Sequence, residues 1–158
     1  MKGPFQKLFV LIFTIVCFFN ASAQTTEVAV TDEELEKYVV TMDSVAVLTE
    51  LIKQTITDLV NNNPALSASR YNELSRILGD SVKLKEAQAT EEEIRALKEI
   101  TARRDEETRK LQETFNKLAT EYVGAATYNK IRNALRSDSA LKTRYETMMA
   151  ERKKSRQG

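Results

Sequence analysis

The sequence predicts an all-α protein, an antiparallel up-down bundle of about four helices with coiled-coil character. Three observations predict it. Apolar residues recur three or four positions apart over long windows, the period of a helix with one buried face. Breakers are scarce, Pro64, Gly79 and Gly124 being the only internal proline or glycines after residue 23. A helix-opening pattern, Thr31-Asp-Glu-Glu34, returns 59 residues later as Thr90-Glu-Glu-Glu93.

Residues 1–23 read as a secretory signal, with Lys2 and Lys7 in a basic start, an apolar run from Leu8 to Phe19, and Ala21-Ser22-Ala23 as a small-residue cleavage site. The apolar run is shorter than the ~20 residues a membrane-spanning helix needs. Cleavage after Ala23 leaves residues 24–30 as a short flexible mature terminus, 31–150 as the helical domain and 151–158 as a basic disordered tail. The only cysteine, Cys17, leaves with the signal, and the bulky Val16 before it argues against a lipoprotein anchor. The mature chain therefore has neither cysteine nor histidine. An oxidising compartment would find no disulfide to make, and the core must hold the fold unaided.

Thr31 can cap the amide of the third helical residue while Glu34 reaches back, a capping box. Acids in that first turn also suit the positive end of the helix dipole. Leu35, Tyr38, Val39, Met42, Val45, Ala46, Thr49, Ile52, Ile56, Leu59 and Val60 then trace one apolar face. Asn61-Asn-Asn-Pro64 ends the helix, because asparagine tolerates the left-handed turn and the residue before proline avoids the helical region. A shorter helix from Ser67 or Ser69 carries Tyr71, Leu74, Ile77 and Leu78, and breaks at Gly79-Asp80-Ser81. The second box opens a helix predicted to run from Thr90 to Tyr122, about 50 Å. Its middle, Thr101 to Lys110, is charged, so it either projects beyond its partners or pairs its charges at i, i+4, as Asp105 with Arg109 and Glu106 with Lys110. A last helical region begins near Thr127 with Tyr128, Ile131, Ala134 and Leu135 inward, breaks at Ser137-Asp138-Ser139, and continues through Leu141, Tyr145 and Met148.

Aligned at an offset of 57, Tyr71/Tyr128, Asn72/Asn129, Leu78/Leu135, Leu84/Leu141 and Lys85/Lys142 agree. Two duplicated hairpins explain this, as does coincidence in Leu-rich helical text; two units are too few for a solenoid. Core packing and capping account for the Tyr-Asn pairs without a ligand.

Thr31-Asp-Glu-Glu-Leu-Glu-Lys-Tyr38, Tyr128-Asn-Lys-Ile131 and Ser137-Asp-Ser-Ala-Leu141 resemble the opening and closing motifs of a family of exported bacterial helical proteins known as domain of unknown function 4168. Ser139 stands where that family would have proline. The resemblance implies a helical secreted or periplasmic domain and carries no activity with it.

Charge is balanced in total and polar in distribution. Once Lys2 and Lys7 are removed from 24 bases, the 23 acids leave the chain one charge below neutral. Residues 24–58 hold eight acids and two bases, whereas 127–158 hold nine bases and three acids. Either the two ends compensate side by side, or they serve head-to-tail assembly or contact with anionic lipid, which salt would weaken. Without histidine the usual base of nucleophilic triads and the Glu-x-x-His ligands of di-iron bundles are missing. Without cysteine so are thiolate chemistry and the familiar structural zinc sites. Glu91-Glu92-Glu93 is the densest carboxylate cluster, but adjacent helical positions do not converge. The expectation is no enzyme, no cofactor and no metal.

Two surface features carry functional expectations. Asp43-Ser44-Val45, Asp80-Ser81-Val82 and Asp138-Ser139-Ala140 are similar to O-glycosylation acceptors of exported Bacteroidetes proteins, making Ser81, Ser139 and Ser44 candidates. Arg152, Lys153, Lys154 and Arg156 form a basic tail suited to weak contact with anionic lipid and poorly suited to nucleic acid. The resulting expectation is a non-enzymatic envelope protein that binds other proteins or itself. The alternative is a chaperone-like binder of unfolded exported chains.

Overall fold

The computed structural model describes residues 29–157; the predicted signal, its cleavage site and residues 24–28 lie outside them. Among the described residues the chain is all-helical, without strands. The helices are α1 (Asp32–Asn61), α2 (Ala68–Leu74), α3 (Ser81–Glu86), α4 (Glu91–Lys117), α5 (Ala125–Ser137) and α6 (Ser139–Ser155), with a π-helical turn, Leu118–Tyr122, after α4.

Both capping boxes form as the sequence predicts. The Glu34 amide donates to Thr31 Oγ1 (3.2 Å) and the Thr31 amide to Glu34 Oε2 (2.9 Å). Thr90 and Glu93 repeat the exchange at 3.1 and 2.8 Å. Val30, expected to be flexible, instead packs against the buried cluster that contains Leu35, as a hydrophobic residue just before an N-cap does.

The stops are less uniform. At the end of α1, Asn63 Oδ1 accepts the Ala65 amide at 3.0 Å, so the side chain makes the turn and no asparagine takes positive φ. Gln88 is the one non-glycine left-handed residue among those described (φ 52°), and there the Ala89 amide donates back to the Leu84 carbonyl and closes α3. After α4 the Val123 amide reaches the Leu118 carbonyl, five residues back, before Gly124 turns the chain with φ 92°. Asp80 caps α3 through the Val82 and Lys83 amides, and Asp138 caps α6 through the Leu141 amide. The two predicted Asp-Ser breaks are thus real, the second reduced to a single residue between α5 and α6.

The described chain divides into two compact units, and these do not follow the two sequence halves. The first comprises residues 58–101, the end of α1, α2, α3 and the start of α4, around Val60, Leu66, Tyr71, Leu74, Leu84, Leu97 and Ile100. The second comprises residues 29–57 and 102–157, around Leu35, Tyr38, Val39, Ala119, Val123, Tyr128, Ile131 and Leu141. Each unit therefore joins the capping box of one half to the Tyr helix of the other, where self-contained hairpins were expected. Inward positions also shift, since Leu59 is 40% exposed and Leu66, in a loop, is buried.

The charged stretch of α4 is resolved by local pairing. Lys110 meets Glu106 (2.8 Å) as expected, but Asp105 is taken by Arg104 and Arg109 by Glu113. Finally, the predicted disordered tail is corrected: α6 continues to Ser155 because Arg152 and Arg156 reach Asp43 on α1. A charge buried in another helix anchors the end that has no apolar residue of its own.

Candidate functional site

Among the described residues the second unit holds a polar and aromatic centre and, on its surface, a recess lined largely by apolar residues. The centre starts from α1, whose helical spacing places Asp32, Glu34, Tyr38 and Asp43 toward α5 and α6. Glu34, beyond its cap, accepts both oxygens' worth of contact from Lys130 Nζ at 2.6 Å, and Asp32 pairs with Arg144. Asp43 is 5% exposed and is held by Arg152 Nε (3.2 Å) and Arg156 Nη1. The acidic start and basic end of the chain do compensate each other, the first of the two readings of its charge distribution.

Between these pairs sits an aromatic cluster. The Tyr38 ring centroid lies 5.1 Å from Tyr128 and 5.8 Å from Tyr145, and Phe115 meets Tyr128 edge-on at 5.6 Å. Burial pushes all three tyrosine hydroxyls above their ordinary range. Packed ring on ring, these tyrosines help to build the core of the second unit.

In the first unit, Arg70 does the corresponding work. Its Nε donates to Glu93 Oε1 (2.7 Å), Nη1 to Glu73 (2.9 Å) and Nη2 to the Ala87 carbonyl (2.7 Å). Arg70 holds the Glu93 carboxyl below its ordinary value, as Lys130 does Glu34. The one acid of the Glu91–Glu93 cluster that is not exposed is therefore occupied in a cap and an ion pair.

The recess lies in the second unit between residues 48–55 of α1 and 107–114 of α4. It is open, about 260 Å³, and lined by Leu48, Leu51, Ile52 and Thr55 facing Glu107, Lys110, Leu111 and Thr114. Each residue of one wall has its counterpart 59 positions along on the other, the same interval that separates Thr31 from Thr90. Leu48 and Leu51 fall off the apolar face traced from the sequence, so the recess was missed; two leucines outside the inward stripe were the signal that could have found it.

The residues singled out from the sequence do not converge. Ser81 and Ser139 are exposed at the first positions of α3 and α6, each after its capping aspartate. Ser44 lies inside α1 and donates to the Val40 carbonyl at 2.8 Å. Arg152 and Arg156 are committed to Asp43, while Lys153 and Lys154 are exposed. No helix of the described residues is long and apolar enough to cross a membrane. No protein-family model, curated protein or solved structure matches the chain.

Proposed function

We propose that this chain is a non-enzymatic, exported helical protein of the cell envelope that works by binding other proteins or copies of itself. The observation that carries the reading is the recess of α1 and α4, a depression on the surface in which one lining residue, Leu51, stands half exposed. Contact with a partner is what would take these apolar side chains out of water. The acid and base that line it, Glu107 and Lys110, are already paired with each other.

In this reading residues 1–23 direct export and are cleaved after Ala23. The helices close as an up-down bundle of about four, derived from two duplicated hairpins. The 59-residue interval between the two capping boxes supports duplication. The likeness to the domain of unknown function 4168 rests on the Thr31 and Tyr128 motifs. Ser81 and Ser139 are the better glycosylation acceptors, being exposed; an intact mass equal to bare residues 24–158 in protein from the native host rules modification out. Lys153 and Lys154 are what remains of the basic tail for lipid contact.

The chaperone-like alternative is weaker, because Tyr145, Met148 and Met149, the Tyr/Met face it would use, pack against the core of the second unit. Crosslinking in the native envelope followed by mass spectrometry tests the main reading. It expects the chain itself or a specific envelope protein to be recovered, and recovery of neither sinks it.

A further inference from the structure

The last two turns of α6 are fastened to the second unit by charge. Beyond Met149 the one apolar side chain of the helix is Ala150, and it is exposed. What holds this stretch is Asp43 of α1, a carboxylate 5% exposed, with Arg152 and Arg156 closed over it. The two arginines lie four positions apart and so on one face of α6. Residues 152–157 hold four bases and no acid, and the other two bases, Lys153 and Lys154, are exposed. The negative end of the helix dipole accounts for bases in a last turn. It does not account for an aspartate nearly buried in another helix. Sinking a carboxylate costs solvation, and an apolar residue in its place would fasten α6 without that cost. Charge differs in being exchangeable: a second anion can replace the carboxylate, and guanidinium groups keep their charge at every pH the fold meets. The two arginine side chains are 41% and 38% exposed, so an anion can reach them from water while Asp43 still holds them. Four bases within five positions suit a sheet of phosphates. The stretch has no aromatic residue to stack on a nucleobase and no apolar one beyond Ala150 to seat a protein.

We propose that Asp43 is an internal rival of anionic lipid for the end of α6. Away from lipid it withholds Arg152 and Arg156; at an anionic lipid surface the last two turns let go of α1, and lipid phosphates take all four bases. The proposal rests on the lipid contact assigned above to Lys153 and Lys154.

The test is cosedimentation of the mature protein, recovered after export, with vesicles of equimolar phosphatidylglycerol and phosphatidylcholine, and with vesicles of phosphatidylcholine alone. The parent is expected to bind the anionic vesicles weakly and the neutral ones not at all. Asp43→Asn removes the rival charge with little change of shape. It is expected to bind the anionic vesicles about tenfold more tightly or better, because two further bases reach the surface. Adding Arg152→Gln and Arg156→Gln to Asp43→Asn is expected to return the affinity to that of the parent. In the parent itself, Lys153→Gln with Lys154→Gln is expected to weaken binding more than Arg152→Gln with Arg156→Gln. Should Asp43→Asn fail to fold, as judged by thermal melting, that comparison of the two pairs decides.

An Asp43→Asn affinity equal to that of the parent, or equal losses from the two pairs, shows that Asp43 withholds nothing; the proposal is then overturned and the lipid contact of Lys153 and Lys154 stands. A gain that appears equally on neutral vesicles overturns it too, since it then comes from exposed core and not from charge. If no form binds anionic vesicles, the proposal and the lipid contact both fall, and the protein-binding function is untouched.

Discussion

The helices that carry Tyr71 and Tyr128 occupy equivalent places in their two units, yet they are secured by different chemistry. Around Tyr71 the filling is aliphatic, with Leu66, Leu74, Leu84, Leu97 and Ile100 buried, and one arginine makes three kinds of contact. Around Tyr128 the filling is aromatic, and a nearly buried carboxylate, Asp43, ties down the end of the chain. What the two share is narrower than a sequence repeat. It is a capping-box glutamate bonded to a base on the Tyr helix, with a fully buried aliphatic residue, Leu74 or Ile131, one turn after the tyrosine. The frame is set by a few contacts, and the volume around it can be filled in more than one way.

The equivalence can be broken most severely at that aliphatic residue. Leu74→Ala and Ile131→Ala are both expected to cost about 2–5 kcal/mol in denaturant unfolding, since each empties a fully buried site. A large cost at one and a small one at the other would show that the two frames are not equivalent.

Next in size is the nearly buried carboxylate of the second unit, Asp43, which the 59-residue interval does not repeat, Ala102 standing at the corresponding position. Asp43→Ala is expected to cost about 1–2 kcal/mol, less than a fully buried pair because both arginines can turn to water. Hydrogen exchange should rise at residues 150–157 and stay unchanged at 81–86.

The shared ion pairs come third. Glu34→Gln and Glu93→Gln are each expected to cost about 1 kcal/mol or less near neutral pH. Lys130 and Arg70 hold these carboxyls below the ordinary 4.5, so their stabilising contribution is complete above that value and is lost as pH falls through the lowered one. The parent and either variant should therefore converge in stability in acid, measured by urea unfolding between about pH 2 and 7.

The two glycines differ, one matching the ion pairs in size and the other having the smallest effect of all. Gly124→Ala should destabilise by about 1 kcal/mol, because its φ of 92° strains any side chain. Gly79→Ala meets nothing within 4 Å and lacks that strain, so its effect on the melting temperature should be near zero or slightly stabilising.

What could be read from the sequence was what local contacts decide. Thr31 with Glu34 and Thr90 with Glu93 bond three residues apart, and Asp80 and Asp138 cap their own helices, so residue type and spacing suffice. Compensation between the acidic start and basic end was foreseen as one of two outcomes. The partners were not, because Asp43 with Arg156 lies 113 residues apart and an aspartate inside an amphipathic pattern looks like surface. The end of α6 was misplaced for the same reason, its anchor being in another helix. Leu66 was missed because loop residues lack a period, and the recess because helical periodicity reports which residues face inward and is silent on how two helices border an opening.

The long helices carry a practical consequence for anyone who would cut this protein. The divisions between the two units, at residues 57/58 and 101/102, both fall inside α1 and α4. The second unit is assembled from two separate stretches of chain, so any contiguous fragment that contains it also contains residues 58–101. A nick or insertion at either division breaks a helix whose two ends serve different cores, and limited proteolysis should avoid both. Split-reporter or affinity insertions belong instead at Asn62, exposed in the turn where the backbone leaves α1 and short of the buried Leu66.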